Sequence, residues 1–150
     1  MKQWLRLTLV TMTIGGGFTG VAVTLQLLFS TQVQSPLDCA LILMFVALFA
    51  FVTVSGVVFV HDPNQTSLLK AALALQVPWV SSPLFAYKFA AGFQIGGALM
   101  GGSFAGGFRL GSDFQIYFFQ RLPWGFGVNF FALALLVLLV MATQPPNKIE

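Results

Sequence analysis

GFQIGGALMGGSFAGGFRLG, residues Gly92–Gly111, consists of four consecutive five-residue units, each opened and closed by glycine. Read as a helix, the stretch would supply Gly-x-x-x-Gly contacts, but a helical face repeats every three or four residues and glycines five apart drift around it. Each of these glycines would also cost about 0.8–1 kcal/mol relative to alanine in a helix. The flanks favour strands. Phe89, Ala91, Phe93 and Ile95 alternate with Lys88, Ala90, Gly92 and Gln94. Further on, Phe108, Leu110, Ser112, Phe114, Ile116 and Phe118 alternate with Arg109, Gly111, Asp113, Gln115 and Tyr117. Period-two patterning marks a half-buried strand, and the pairs Gly101–Gly102 and Gly106–Gly107 offer the positive-φ positions of turns or bulges. The reading is a β-hairpin with arms at about 86–99 and 106–120.

Around it the chain reads as membrane protein. It is 57% hydrophobic and 7% charged, against roughly 25% charged in a soluble domain. A single polytopic domain over residues 1–150 is expected, an all-α integral membrane protein with four transmembrane helices at about 5–29, 39–60, 67–83 and 126–143. The hairpin sits between the third and fourth. An open two-stranded sheet has no partners for its edge amides in lipid, so it is expected outside the hydrocarbon, its Phe face on the membrane and Arg109 and Asp113 in water.

Within the first span, Thr8, Thr11, Gly15 and Thr19, with Gly16 and Gly20 alongside, form a small-residue stripe for helix packing. Thr53 and Ser55 in the second span can bond to carbonyls of the preceding turn. Pro78 and Pro83 interrupt the third span and make it a candidate hinge, with Gln76 inside the bend. Asn129 near the entrance of the fourth is expected to bond a neighbouring helix. Lys2 and Arg6 make the N-terminus cytoplasmic by the positive-inside rule, and an even number of spans returns the C-terminus to that side. Lys2, Arg6, Lys70 and Lys148 then face Lys88, Arg109 and Arg121, a narrow bias. A bacterial cytoplasmic (inner) membrane is the expected location.

The composition excludes several functions. Seven Lys and Arg scattered singly do not form the clustered cations of a nucleic-acid site. One cysteine and one histidine leave no zinc ligand set. No nucleophile-base pair, phosphate loop or dinucleotide fingerprint is present, so no catalytic residue, metal or cofactor is assigned. The expectation is a non-enzymatic accessory or interaction subunit. Its contact surface on the Gly/Phe-rich hairpin is Phe93, Phe108, Arg109, Asp113, Phe114 and Phe118, and its partners are membrane lipid and a protein or a second copy of the chain. The alternative is an oligomeric channel or small-solute transporter component.

Overall fold

A computed structural model describes residues 1–29 and 35–144. Residues 30–34 of the predicted polar connection, and the tail from 145 onward with Lys148, lie outside these.

Two helices run side by side. Helix α1 (Gln3–Leu28) contains a π-helical turn at Thr11–Gly15. Helix α2 (Pro36–His61) starts with Ser35, whose Oγ accepts from the Asp38 amide at 3.1 Å, and with proline at its first turn, where the missing N–H costs nothing. Both are long and apolar enough to cross a membrane. They pack antiparallel through glycine. A Cβ on Gly17 would lie 2.4 Å from Thr53 Oγ1, one on Gly20 2.2 Å from the Phe49 ring and one on Gly56 2.3 Å from Thr13 Oγ1. The buried stripe is therefore Thr13, Gly16, Gly17, Gly20 and Thr24. Thr11, Gly15 and Thr19, expected in it, are exposed, because the face packed on α2 is the one that already carries Leu5 and Leu9 and continues through Thr13, Gly16 and Gly20. Thr53 and Ser55 do bond back, to the carbonyls of Phe49 and Val52.

The other two predicted transmembrane helices are not there. Residues 67–83 form a short helix α3 (Ser67–Ala74) and a strand β1 (Pro78–Ser81). Residues 126–143 divide into strand β6 (Gly125–Asn129) and helix α4 (Phe130–Thr143). Pro78 opens β1 and Pro83 lies in the turn after it, so neither is a hinge in a helix. Asn129 caps its own helix, its Oδ1 accepting from the Ala132 amide at 3.4 Å.

Nor is there an isolated hairpin. Each predicted arm is two strands, broken where Gly92 and Gly111 take positive φ. These are β2 (Phe85–Ala90), β3 (Phe93–Met100), β4 (Ser103–Leu110) and β5 (Asp113–Phe118). With β1 and β6 they make one six-stranded antiparallel sheet in the order β4-β3-β6-β1-β2-β5. The chain is therefore a helical and antiparallel β fold instead of an all-α one.

Connectivity dictates the sheet's shape. β4 and β5 occupy opposite edges, about 24 Å apart if the sheet were flat, yet only Gly111 and Ser112 join them. The sheet must curl until its edges meet at that end, giving a half-barrel closed at one end and splayed at the other.

Two cores hold the parts together. Leu5, Leu9 and Phe59 pack against Leu69, Leu73, Leu135 and Leu139 of α3 and α4. Phe45, Phe49 and Val52 of α2 pack with Ala72, Phe89 and Ala91. α3 and α4 thus cover one half of the α1/α2 pair and the half-barrel covers the other. The junction lies at mid-helix, where Gly16 meets Gly92: a Cβ on Gly16 would be 2.5 Å from the Gly92 nitrogen. Ser112 Oγ donates to the Gly16 carbonyl at 2.6 Å, and Gln76 ties α3 to the β2–β3 turn by accepting from the Ala91 amide at 2.8 Å.

Candidate functional site: a groove inside the half-barrel

Directly opposed residues share a face of the sheet, so the register sorts the side chains. Trp79 stands opposite Gly127, Lys88 opposite Gln115, Ala90 opposite Asp113, and Gln94 opposite Arg109. These, with Ser81, Gly96, Ala98, Ala105, Gly107 and Tyr117, belong to the inner face. The outer face carries Phe85, Phe89, Phe93, Phe104, Phe108, Phe114, Phe118 and Phe126 among other apolar residues. The sheet is thus aromatic outside and small or polar inside, because the concave side of a tightly curled sheet has little room for large side chains.

The inner face encloses a groove of about 530 Å³ lined by all strands from β1 to β5 and by Leu122 and Pro123. Trp79 lies across β6 and β3, where only glycine admits it. A Cβ on Gly96 would fall 1.9 Å from the indole Cη2, and one on Gly127 3.0 Å from Cε3. Toward the splayed end the lining is Ala86, Ala98, Met100, Tyr117, Leu122 and Pro123. Toward the closed end it is charged.

Asp113 is the centre of that charge. Lys88 Nζ lies 2.6 Å from its Oδ2 and Arg109 Nη1 2.9 Å from its Oδ1. Gln94 Nε2 donates to Oδ2 at 3.2 Å, and the Lys88 ammonium also stands 4.5 Å over the Trp79 ring, a cation–π contact. Burial pushes the Asp113 carboxyl up, but the bonds and charge of Lys88 and the bonds from Gln94 and Arg109 outweigh it and hold it below its ordinary value. Two cations share one carboxylate. The Arg109 side chain is 60% exposed and keeps donors to spare. Gln94 Oε1 and Trp79 Nε1 are buried without a hydrogen-bond partner. Facing a carboxylate, Gln94 must present its NH₂ group, which turns Oε1 away from Asp113. Among the described residues no group of three or more His, Cys, Asp or Glu could hold a metal ion.

The six residues expected to form one contact surface divide three ways. Arg109 and Asp113 meet inside the groove. Phe93 and Phe114 pack inward on the helices, with ring centroids 4.8 Å from Phe131 and 4.5 Å from Phe45. Phe108 and Phe118 stay on the outer surface. Trp79, Lys88, Gln94 and Tyr117 join the site unexpectedly. The alternation had already set Lys88 and Gln94 opposite the Phe row, while β1, which carries Trp79, was concealed in an apolar run. No family model matches the chain, and neither a curated protein nor a solved structure matches it.

Proposed function

We propose that this is a membrane protein that works by binding, and that the groove of its half-barrel takes up a small amphipathic molecule. The observation that carries the reading is the groove itself: about 530 Å³, apolar along its walls and charged at its closed end. Sites of this size with a few convergent polar groups are typical of small-molecule binding. No residue set in it suggests catalysis.

In this reading α1 and α2 span the bilayer, each about 39 Å long against about 30 Å of hydrocarbon. The half-barrel stands beside one half of them. Its exposed Phe104, Phe108, Leu110 and Phe126 continue the exposed apolar side of α4, so this aromatic row faces lipid, with an outward apolar and inward polar pattern like that of membrane barrels. The unpaired edges of β4 and β5 border the groove, where water satisfies the amides that lipid could not. Lys88 and Arg109 are groove residues and drop out of the topology count. Among the described residues, Lys2, Arg6 and Lys70 then gather at one end and Arg121 at the other, supporting a cytoplasmic N-terminus. Leu5 and Leu139 belong to one buried core, which supports α4 ending on the same side. A bacterial cytoplasmic membrane remains the proposed location. The Lys88, Gln94 and Arg109 side chains of the groove converge on Asp113 where the sheet's edges meet, so a channel reading would require several copies.

The test is extraction of the protein in mild detergent and mass spectrometry of what accompanies it. A Cβ on Gly107 would meet nothing within 4 Å, so Gly107→Trp fills the groove without displacing backbone. Amphipaths bound to the native chain should be lost from this variant. The same molecules at the same stoichiometry in both proteins would refute the groove as their site.

A further inference from the structure

The groove's closed end is more specific than a polar cap. We infer that it recognises an oxyanion, the carboxylate or phosphate head of an amphipath whose apolar part lies along Ala98, Met100 and Tyr117; this rests on the binding reading above. Three observations converge. First, Lys88 and Arg109 share the single carboxylate of Asp113, so the cluster carries one uncompensated positive charge next to apolar walls. Second, Arg109 bonds Asp113 through Nη1 while its side chain is 60% exposed, leaving guanidinium donors that can pair an anion in parallel. Third, the Trp79 indole N–H and Gln94 Oε1 are buried and unpartnered, on side chains that touch the cluster, the Trp79 ring under the Lys88 ammonium and the Gln94 amide on Asp113. The first would donate to the same head, and the second would accept from a hydroxyl or amide adjoining it. A cationic head would meet Lys88 and Arg109 at close quarters and is disfavoured. An uncharged head leaves the excess charge unanswered.

Trp79 is the reporter. The chain has three tryptophans, and Trp4 and Trp124 are exposed, so Trp4→Phe/Trp124→Phe leaves only Trp79 emitting. In detergent micelles, bromododecanoate should quench it saturably, and unlabelled dodecanoate should reverse the quenching. Bromododecanol should need about tenfold more or greater, the loss expected when a charge-assisted bond is missing. Arg109→Gln should weaken the carboxylate by a similar factor and leave the alcohol unchanged, and Arg109→Lys should recover part of it. Equal saturable quenching by acid and alcohol in the native side-chain background, with Arg109→Gln without effect, would overturn the anion site while leaving the binding groove standing. Absence of saturable quenching by any amphipath would overturn both. Inorganic phosphate displacing bromododecanoate at micromolar concentration would overturn the amphipath in favour of a free anion.

Discussion

Gln94 Nε2 donates to Asp113 Oδ2 at 3.2 Å although the two residues sit on β3 and β5, four places apart in the sheet. In a flat sheet strands so placed are roughly 19 Å apart. The bond runs across the inside of the barrel and joins its two halves where Gly111 and Ser112 force the edges together. Asp113 thus serves both as the pin of the closed end and as the counter-charge of Lys88 and Arg109.

Replacing the pin should be costly. Asp113→Asn leaves the partly buried Lys88 ammonium without a carboxylate, and breaking a buried ion pair from one side costs about 3 kcal/mol or more. Arg109, largely exposed, contributes little of this. Unfolding followed in detergent should show the loss, and Lys88→Met added to Asp113→Asn should restore part of it. A double variant no more stable than the single one would show that Lys88 is not the group left stranded.

The same carboxyl sets an acid limit. Its value in the folded chain lies below the ordinary one, so its stabilising contribution is complete above the unfolded value, about 3.9. It is lost as pH falls through the lower folded value. Thermal stability measured from pH 7 down to pH 3 should therefore decline at the acid end, and Asp113→Asn should flatten that decline. An unchanged slope in the variant would place the acid sensitivity elsewhere.

Two adjacent glycines make opposite predictions. Gly16→Ala puts a methyl 2.5 Å from the Gly92 nitrogen, where backbone meets backbone, whereas a Cβ on Gly15 has nothing within 4 Å. Gly16→Ala should thus separate α1 from the β2–β3 turn and lower stability by the 1–3 kcal/mol or so typical of overpacking. Gly15→Ala should be neutral or should stabilise by up to about 1 kcal/mol through helix propensity. Melting temperatures of the two variants compared side by side decide it.

The legible parts of this fold were those whose pattern has one meaning. Leu5–Phe29 and Cys39–Val60 are too long and too uniformly apolar to be anything but long helices, and α1 and α2 coincide with them to within three residues at each end. The alternation after Gly107 was legible as strand for the same reason. Residues 67–83 and 126–143 were not, because each joins a helical piece to a strand inside one apolar run, and hydrophobicity without a period cannot mark the change. With β1 and β6 hidden there, the visible strands could only be paired with one another as a hairpin. The candidate site suffered accordingly. Arg109 and Asp113 were found because they interrupt an apolar alternation. Trp79 and Gln94 were not, since their importance lies in what the curled sheet brings beside them.

The aromatic row offers the sharpest contrast between pattern and packing. Phe108 and Phe114 stand at equivalent positions in the alternation, but Phe108 is 76% exposed on the outer face of β4, while Phe114 rests on Phe45 and Phe49, with centroids 4.5 and 5.9 Å away. Truncating Phe114 removes the aromatic contact that seats β5 on α2, and Phe114→Ala should cost about 3 kcal/mol, near the lower end for a packed phenylalanine. Phe108→Ala removes little intramolecular packing and should change stability in detergent by no more than about 0.5 kcal/mol. In the proposed lipid-facing arrangement its effect should appear in the bilayer, where the lost aromatic surface weakens partitioning of the half-barrel into lipid by about 25 cal/mol per Å² no longer buried. Denaturation in detergent and in lipid bilayers, compared for the two variants, separates these contributions. Equal losses for Phe108→Ala and Phe114→Ala in detergent would contradict the division of the Phe row into an inward and an outward set.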